Sequence, residues 1–455
     1  MSFTDHPSKS DTTLVVVSLK GSTGSTDPYS RAYDVHSPIL IQSLFFKALL
    51  SPLCTDVESS SSTLPITITV AVESTDKAES LDLVLRVLYR PWEDDAQSRL
   101  SSAHLLLGAF LLAVEYQFPD GLIKRIADML GDRMVSMGDS LDSSSTVHAL
   151  VDSVIEVYSL PLDLRERLSF APLSSSGRAV LQRLFREAPA VITDAARMSE
   201  FLRLPAAAVL AWARDDHLIA HTENCVVYVL SAWARGPVGA NASADELEAL
   251  ACSVRVGDLR PSYLSSVLPL QKWFSGTRAC AEFLPALRVY LSSSATAGWC
   301  GPPAWILGAR MRVLNSPMER HGNMDWTITP EQLVQLRGAP GTCVRSPSLY
   351  INGAFMRLAA AHHAVDGGGV RFGAYVEVDV DAMRAALGEL PEHAFVVAIK
   401  CTIEVKGAPA LMINCVASRS FGSATTTAME FAGLVAPHLE PDGTLRVMCT
   451  LYKLE

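Results

Sequence analysis

Residues 201–235 read FLRLPAAAVLAWARDDHLIAHTENCVVYVLSAWAR. Two apolar runs at helical spacing flank Asp215 and Asp216, which end the first helix, and Thr222, which is placed to cap the second. Val226, Val229, Leu230 and Trp233 then share one face of that second helix. The pattern predicts a tight helix pair on one core. Around it, from about residue 145 to 290, strand patterns vanish and Ala/Leu/Arg-rich helical segments recur with short Pro or Gly punctuation. This middle region is expected to be all-helical.

Upstream, Leu14 to Leu19 (LVVVSL) reads as a strand, GSTGSTDPYS as a loop, and HSPILIQSLFFKALLS, His36 to Ser51, as one helix. LPITITVAV alternates as a strand does, and Leu81 to Leu88 returns to helical spacing. HLLLGAFLLAVEYQF and LIKRIADMLGDRM predict two further helices, broken at Pro119-Asp120-Gly121 because proline lacks an N–H and glycine relieves backbone strain. A small α/β domain, residues 10–135, is expected here. Beyond about residue 320 the period falls to two in AFMRLAAA, VRFGAYVEVDV, AFVVAIKCTIEV, ALMINCVA and TLRVMCTLYKL, which predicts an antiparallel β-sandwich over residues 320–455. LSSSATAGWCGPPAW lies in a linker, 291–319, whose tryptophans, Trp299 and Trp305, imply partial docking. At 455 residues the chain is too long for one ordinary core. The expected fold class is therefore multidomain α+β.

Composition narrows function. A formal net charge of -10 offers no broad basic surface for nucleic acid or anionic lipid. The longest dense apolar stretch, Leu105 to Val114, is too short to span a bilayer, and the N-terminal residues carry no signal-peptide core, so an intracellular, soluble protein is expected. Nine cysteines without a CxxC pair indicate neither a zinc site nor a disulfide framework, and Cys225 and Cys401 sit in apolar runs as small hydrophobes.

No catalytic constellation stands out. GxSxG, HExxH and GxxxxGK[ST] are absent, and Gly367 to Gly369 read as a turn between strands. His217 and His221 flank a helix junction without an obvious third ligand, and His362 and His363 are strand neighbours that point to opposite faces. His36 opens a helix and reads as hydrogen-bonded structure. No metal, cofactor or catalytic residue is expected. Tyr89-Arg90-Pro91-Trp92 followed by Glu93-Asp94-Asp95 is either a solvated loop or an apolar anchor with a charged rim.

The order of these pieces resembles a BTB/POZ–BACK protein of the plant and green-algal type. HSPILIQSLFFKALLS and HLLLGAFLLAVEYQFPDGLIKRIADML are similar to BTB helices. EFLRLPAAAVLAWARDDHLIAHTENCVVYVLSAWAR and VRVGDLRPSYLSSVLP follow the BACK pattern, which assigns residues 140–290 to a BACK helical domain. SPSLYINGAFMRLAAAHHAV, RFGAYVEVD and the final GTLRV resemble a MATH/TRAF-type sandwich. The resemblance implies a cullin-3-type scaffold as partner, contacted through Tyr89, Trp92, Glu93, Gln117, Phe118 and Asp120 and extended by the helices from Val147 to Phe170. For Phe118 the alternative is inward packing. A client groove on the sandwich would draw on Tyr350, Phe355, Phe372 and Tyr375, of which alternation buries about half. BTB-type self-association is a further implied property, although only thirteen residues precede Leu14, fewer than the element through which many such domains pair. The expected function is a non-catalytic substrate adaptor of a ubiquitin ligase in the cytoplasm or nucleus. A BTB-based scaffold without a ligase is the alternative, and an enzyme of unrecognised type a third.

Overall fold

The computed structural model describes residues 12–18, 30–57, 66–89, 102–138, 144–167, 170–220, 222–260, 263–287, 301–306, 322–338, 341–351, 354–365, 369–387, 397–405, 411–417, 420–427 and 439–454. It is a mixed α+β structure that divides into two compact units, residues 1–183 and 184–455. Among the described residues no helix is long and apolar enough to cross a membrane.

The first unit opens with β1 (Thr12–Ser18), antiparallel to β2 (Ser30–Val35) and parallel to β3 (Ile66–Val72), in the order β2-β1-β3. In β3, Ile68, Val70 and Val72 are buried while Thr67, Thr69 and Ala71 are exposed, so one face of this strand is covered. Between β2 and β3 run α1 (Ser37–Leu40) and α2 (Leu44–Val57), where the sequence predicted one helix. Ser43 divides them: its hydroxyl accepts the Phe46 N–H at 3.3 Å and donates to the Tyr116 carbonyl at 2.5 Å. A serine with a distant acceptor prefers this N-cap role to a place inside a helix.

Next come α3 (Thr75–Tyr89), α4 (Ala103–Glu115) and α5 (Asp120–Gly138). The first two approach closely at Gly108, where an added Cβ would lie 2.4 Å from Ser80 Oγ. The unit continues through α6 (Ser144–Tyr158), α7 (Leu162–Arg165) and α8 (Ala171–Phe185). Gly131 of α5 meets Ser176 of α8 in the same way, again with 2.4 Å from the missing Cβ to Oγ.

The helical part of the second unit comprises α9 (Ala188–Thr193), α10 (Ala195–Phe201), α11 (Ala206–Ala213), α12 (Glu223–Arg235), α13 (Ala244–Ala251) and α14 (Lys272–Ser275). The helix pair read from residues 201–235 is α11 and α12, and Val226, Val229, Leu230 and Trp233 are buried. Thr222 sits at the N-cap of α12 but its hydroxyl makes no cap bond; its carbonyl accepts the Cys225 N–H instead. Two buried polar residues of α12 reach onward: Glu223 accepts the Arg255 N–H at 2.9 Å and Asn224 the Arg260 N–H at 3.2 Å. They satisfy backbone donors of the turn that follows α13.

Four buried tryptophans each donate the indole N–H to a residue far along the chain. Trp212 bonds the Phe185 carbonyl and Trp233 the Leu204 carbonyl, both at 2.8 Å. Trp273 bonds Ser231 Oγ at 2.9 Å, and Trp305 the Ala251 carbonyl at 3.1 Å. Trp305 is fully buried, so the linker is docked at that residue; Trp299 lies outside the described residues.

The strands of this unit form two antiparallel sheets. One has the order β10-β9-β12-β4, from β4 (Gly322–Ile328), β9 (Val397–Val405), β10 (Leu411–Ala417) and β12 (Leu445–Leu454). Its alternation is regular: Met324, Ile328, Ile403, Val447 and Cys449 are buried, whereas Arg446 and Asp325 pair on the outer side. The other has the order β11-β8-β7-β5, from β5 (Cys343–Arg345), β7 (Ala354–Val365), β8 (Gly369–Val378) and β11 (Ser420–Thr427), with β6 (Leu349–Ile351) also paired to β7. All five predicted strands are present. Two short helices were not foreseen, α15 (Pro330–Gly338) and α16 (Val380–Leu387). His362 of β7 is buried and donates Nδ1–H to the Leu336 carbonyl of α15 at 2.9 Å, while the side chain of His363 lies outside the described residues. Gly367 and Gly368 also lie outside them; Gly369 opens β8.

The helical and strand portions of this unit meet at named contacts. Tyr228 of α12 has its ring centroid 5.1 Å from Tyr350 and 5.7 Å from Phe355. Gln271 Nε2 donates to the Leu387 carbonyl, and Arg235 to that of Ala385, each at 3.2 Å.

Two outcomes follow. Trp233→Phe retains most of the ring but strands the Leu204 carbonyl, and should cost about 1–3 kcal/mol in urea unfolding. Hydrogen bonding to Arg446 holds the Asp325 carboxyl below its usual range, so the stability it contributes is present above the unfolded carboxylate pKa and is lost as pH falls through the folded one. Urea midpoints of wild type and Arg446→Gln should therefore differ at neutral pH and converge below about pH 4.

Candidate functional site

The turn from α4 to α5 organises the candidate surface of the first unit. The Gln117 N–H reaches the Val114 carbonyl at 3.0 Å and the Phe118 N–H the Ala113 carbonyl at 2.9 Å. Gln117 itself is left-handed, with φ of 53°. These features make a Schellman cap, in which the residue after the left-handed one turns its side chain back onto the helix. The break was expected at Pro119 and Gly121; it is instead carried by Gln117, and Gly121 lies in α5 with nothing within 4 Å of an added Cβ.

The cap explains where two of the predicted residues sit. Phe118 is 4 % exposed, with its ring 6.0 Å from Phe46, so of the two orientations weighed it adopts the inward one. Gln117 is exposed, and Asp120 is an exposed first residue of α5. The Gln117 carbonyl accepts the Leu44 N–H at 3.3 Å, which fastens the start of α2 beside the turn. Phe45 stacks on Tyr116 at 4.4 Å with the planes 10° apart, beneath the same junction.

Tyr89 ends α3 and is half-buried; its hydroxyl oxygen accepts the His36 N–H at 2.5 Å. His36 is thus a structural residue at the start of α1. Trp92 and Glu93 lie outside the described residues. Gln117 and Asp120 lie exposed on the same turn, and the structure adds three exposed residues that the sequence reading missed: Ile41 (42 % exposed) just after α1, and Leu44 (59 %) and Leu49 (39 %) in α2. A signal for them existed, since His36 to Ser51 carries more large apolar side chains than one helical face can cover. The result is an apolar ledge at Leu44 beside Gln117, with the Asp120 carboxylate one turn away, while Leu49 lies about 140° around the helix from Leu44.

The four strand residues proposed as a client groove do not form one open surface. Tyr350 is buried and packs with Phe355 on Tyr228, with 5.1 Å between the Tyr350 and Phe355 centroids. Phe372 is buried, and Tyr375 is half-buried with its ring folded over Gly373, where an added Cβ would meet the phenol oxygen at 2.2 Å. Desolvation by burial pushes the Tyr350 phenol well above its ordinary value, as it does the phenol of Tyr263. Neither is poised for acid–base work at neutral pH.

Elsewhere, no group of three or more His, Cys, Asp or Glu among the described residues is placed to hold a metal ion. His217 is exposed and lies 3.3 Å from Asp215, and His221 is outside the described residues. Cys225 and Cys401 are fully buried, as their apolar runs implied. A scan of the chain against protein-family models found no match, and a search of curated proteins found no significant similarity.

Stability measurements separate the residues of the ledge from those beneath it. Gln117→Gly should stabilise the protein by about 1 kcal/mol, because glycine bears no Cβ penalty at a left-handed position. Phe118→Ala should cost about 3–5 kcal/mol, and Leu44→Arg should stay within about 0.5 kcal/mol of wild type.

Proposed function

We propose that this chain is a non-catalytic adaptor of a cullin-3-type ubiquitin ligase. In this reading the first unit and the helices after it are BTB-like and BACK-like, and the two antiparallel sheets are a MATH/TRAF-like sandwich that presents a client. The observation that supports it is Leu44, exposed beside Gln117 on a junction fixed by Ser43 and the Schellman cap, with Asp120 at the start of the next helix. A rigid apolar anchor with a charged rim is the anatomy of a protein-binding surface. Transfer of ubiquitin would be performed by partners, and the adaptor would act by raising the local concentration of client lysines.

Burial of Phe118 moves the anchor in this proposal to Leu44, with Gln117, Asp120 and Tyr89 at its margin. On the sandwich, Phe355 and Tyr375 are the half-buried candidates, since Tyr350 and Phe372 are buried. A second reading draws on the same ledge: exposed apolar side chains after α1 and in α2 also suit self-association, as in a scaffold without a ligase.

Calorimetry between the full chain and the N-terminal domain of cullin-3 distinguishes the two. The adaptor reading expects saturable binding with Kd in the micromolar range or tighter, weakened at least about tenfold by Leu44→Arg with no loss of thermal stability. Absence of binding by folded wild type overturns it. Light scattering that shows a dimer disrupted by Leu44→Arg would then favour the scaffold.

A further inference from the structure

Arg260 carries a positive charge into the interior of the second unit. The residue is 8 % exposed, and its Nε and Nη2 are buried without a hydrogen-bond partner among the described residues. Burial lowers the guanidinium to about 10, which still leaves it charged at neutral pH. A charge in a protein interior is normally accompanied by one of opposite sign.

The surrounding side chains supply no such charge. Those acting on the guanidinium are the Cys225 thiol and the Tyr263 and Tyr350 phenols, and burial pushes each of them up, so all are neutral at pH 7. The neighbouring carboxylates are directed elsewhere. Glu223 accepts the Arg255 N–H at 2.9 Å, and Asp216 pairs with the Arg255 guanidinium. No carboxylate among the described residues forms an ion pair with Arg260.

What gathers around Arg260 instead is a set of donors. Asn224 of α12 accepts the Arg260 N–H through Oδ1 at 3.2 Å, and its own Nδ2 is buried and unpartnered among the described residues. Tyr350 of β6 reaches in from the sheet, where its hydroxyl lies beside Cys225 and Tyr263 without hydrogen-bond geometry to either. Thr222, at the N-cap of α12, likewise leaves its buried Oγ1 unpartnered beside Cys225. Guanidinium and amide nitrogens can only donate, and both hydroxyls are able to. The start of α12 adds the positive end of a 13-residue helix.

Donors assembled around a cation call for acceptor capacity and negative charge together. A water molecule would accept two of these bonds but leave the charge unanswered. An anion supplies both.

We propose that Arg260, Asn224 and Tyr350 hold a small monovalent inorganic anion, chloride in ordinary solution, buried between α12 and β6. One guanidinium matches one negative charge, and enclosure by Cys225 and Tyr263, both buried, favours an ion without an organic body. The ion fastens the helical and strand portions of the unit beside the Tyr228–Tyr350 contact, so its presence is read as stability. This site is independent of the proposed cullin surface.

The test is thermal unfolding of the full chain, prepared free of halide in sodium gluconate, with gluconate replaced stepwise by chloride at constant ionic strength. Arg260→Met and Tyr350→Phe accompany wild type. Wild type is expected to gain at least about 3 °C in Tm, saturably, by about 200 mM chloride. Arg260→Met, which keeps an apolar stem and removes the charge, should not respond to chloride, and Tyr350→Phe should need at least about threefold more chloride for half the gain. Crystals grown in bromide should show an anomalous peak within hydrogen-bond distance of the Arg260 guanidinium. Should Arg260→Met fail to fold, the Tyr350→Phe titration and the bromide peak decide. The proposal is overturned if the wild-type Tm is indifferent to the exchange, if folded Arg260→Met or Tyr350→Phe responds as wild type does, or if no bromide lies at Arg260.

Discussion

A buried indole has one hydrogen-bond donor and nowhere to send it but to a specific acceptor. The helical part of the second unit is assembled on that constraint. Trp212, Trp233, Trp273 and Trp305 each reach an acceptor between 27 and 54 residues away, and each bond joins segments that local helix formation would leave independent. Trp233 and Trp273 both lead to α12, through its own ring and through Ser231. That helix in turn presents Tyr228 to Tyr350 and Phe355, so the indole network also determines where the second sheet is held.

Polar groups buried in α12 complete the arrangement. Glu223 and Asn224 each accept a backbone N–H from the 255–260 segment, a role an apolar side chain could not fill. Near them, Arg260 is almost wholly buried, and desolvation lowers its guanidinium to about 10. Deleting Glu223 or Asn224 leaves a buried backbone N–H without an acceptor, which is why such networks specify a single packing. The same logic operates at Ser43 in the first unit, where one hydroxyl both starts α2 and anchors it to the end of α4.

Much of the fold was legible from periodicity alone. The α11–α12 pair, β1, β3, α3, α4 and the strands β7, β8, β9, β10 and β12 of the second unit all lie where apolar spacing places them, because burial of one face is a local pattern. What escaped were features decided at a distance. The split between α1 and α2 depends on an acceptor 73 residues away, and β6 and β11 are short of alternating apolar residues but are paired by neighbours, whereas β4 carried the signal in Met324, Trp326 and Ile328 and was passed over. The candidate site was legible only in part. Gln117 and Asp120 emerged from the right turn, whereas the inward course of Phe118 followed from a left-handed glutamine that no local rule anticipates. Leu44 was hidden because a helix with apolar residues on every side does not announce which of them lacks cover.

The two close helix approaches of the first unit carry an evolutionary implication. At Gly108 and Gly131 the absent Cβ leaves room for one serine hydroxyl each, from Ser80 and Ser176. Each pair shares a single volume, so an alanine at either glycine requires the facing serine to lose or turn away its hydroxyl, or the helices to move apart. Among descendants of this sequence, positions 80 and 108, and likewise 131 and 176, should change together or not at all, which makes these pairs a register by which distant relatives can be aligned when overall identity has faded.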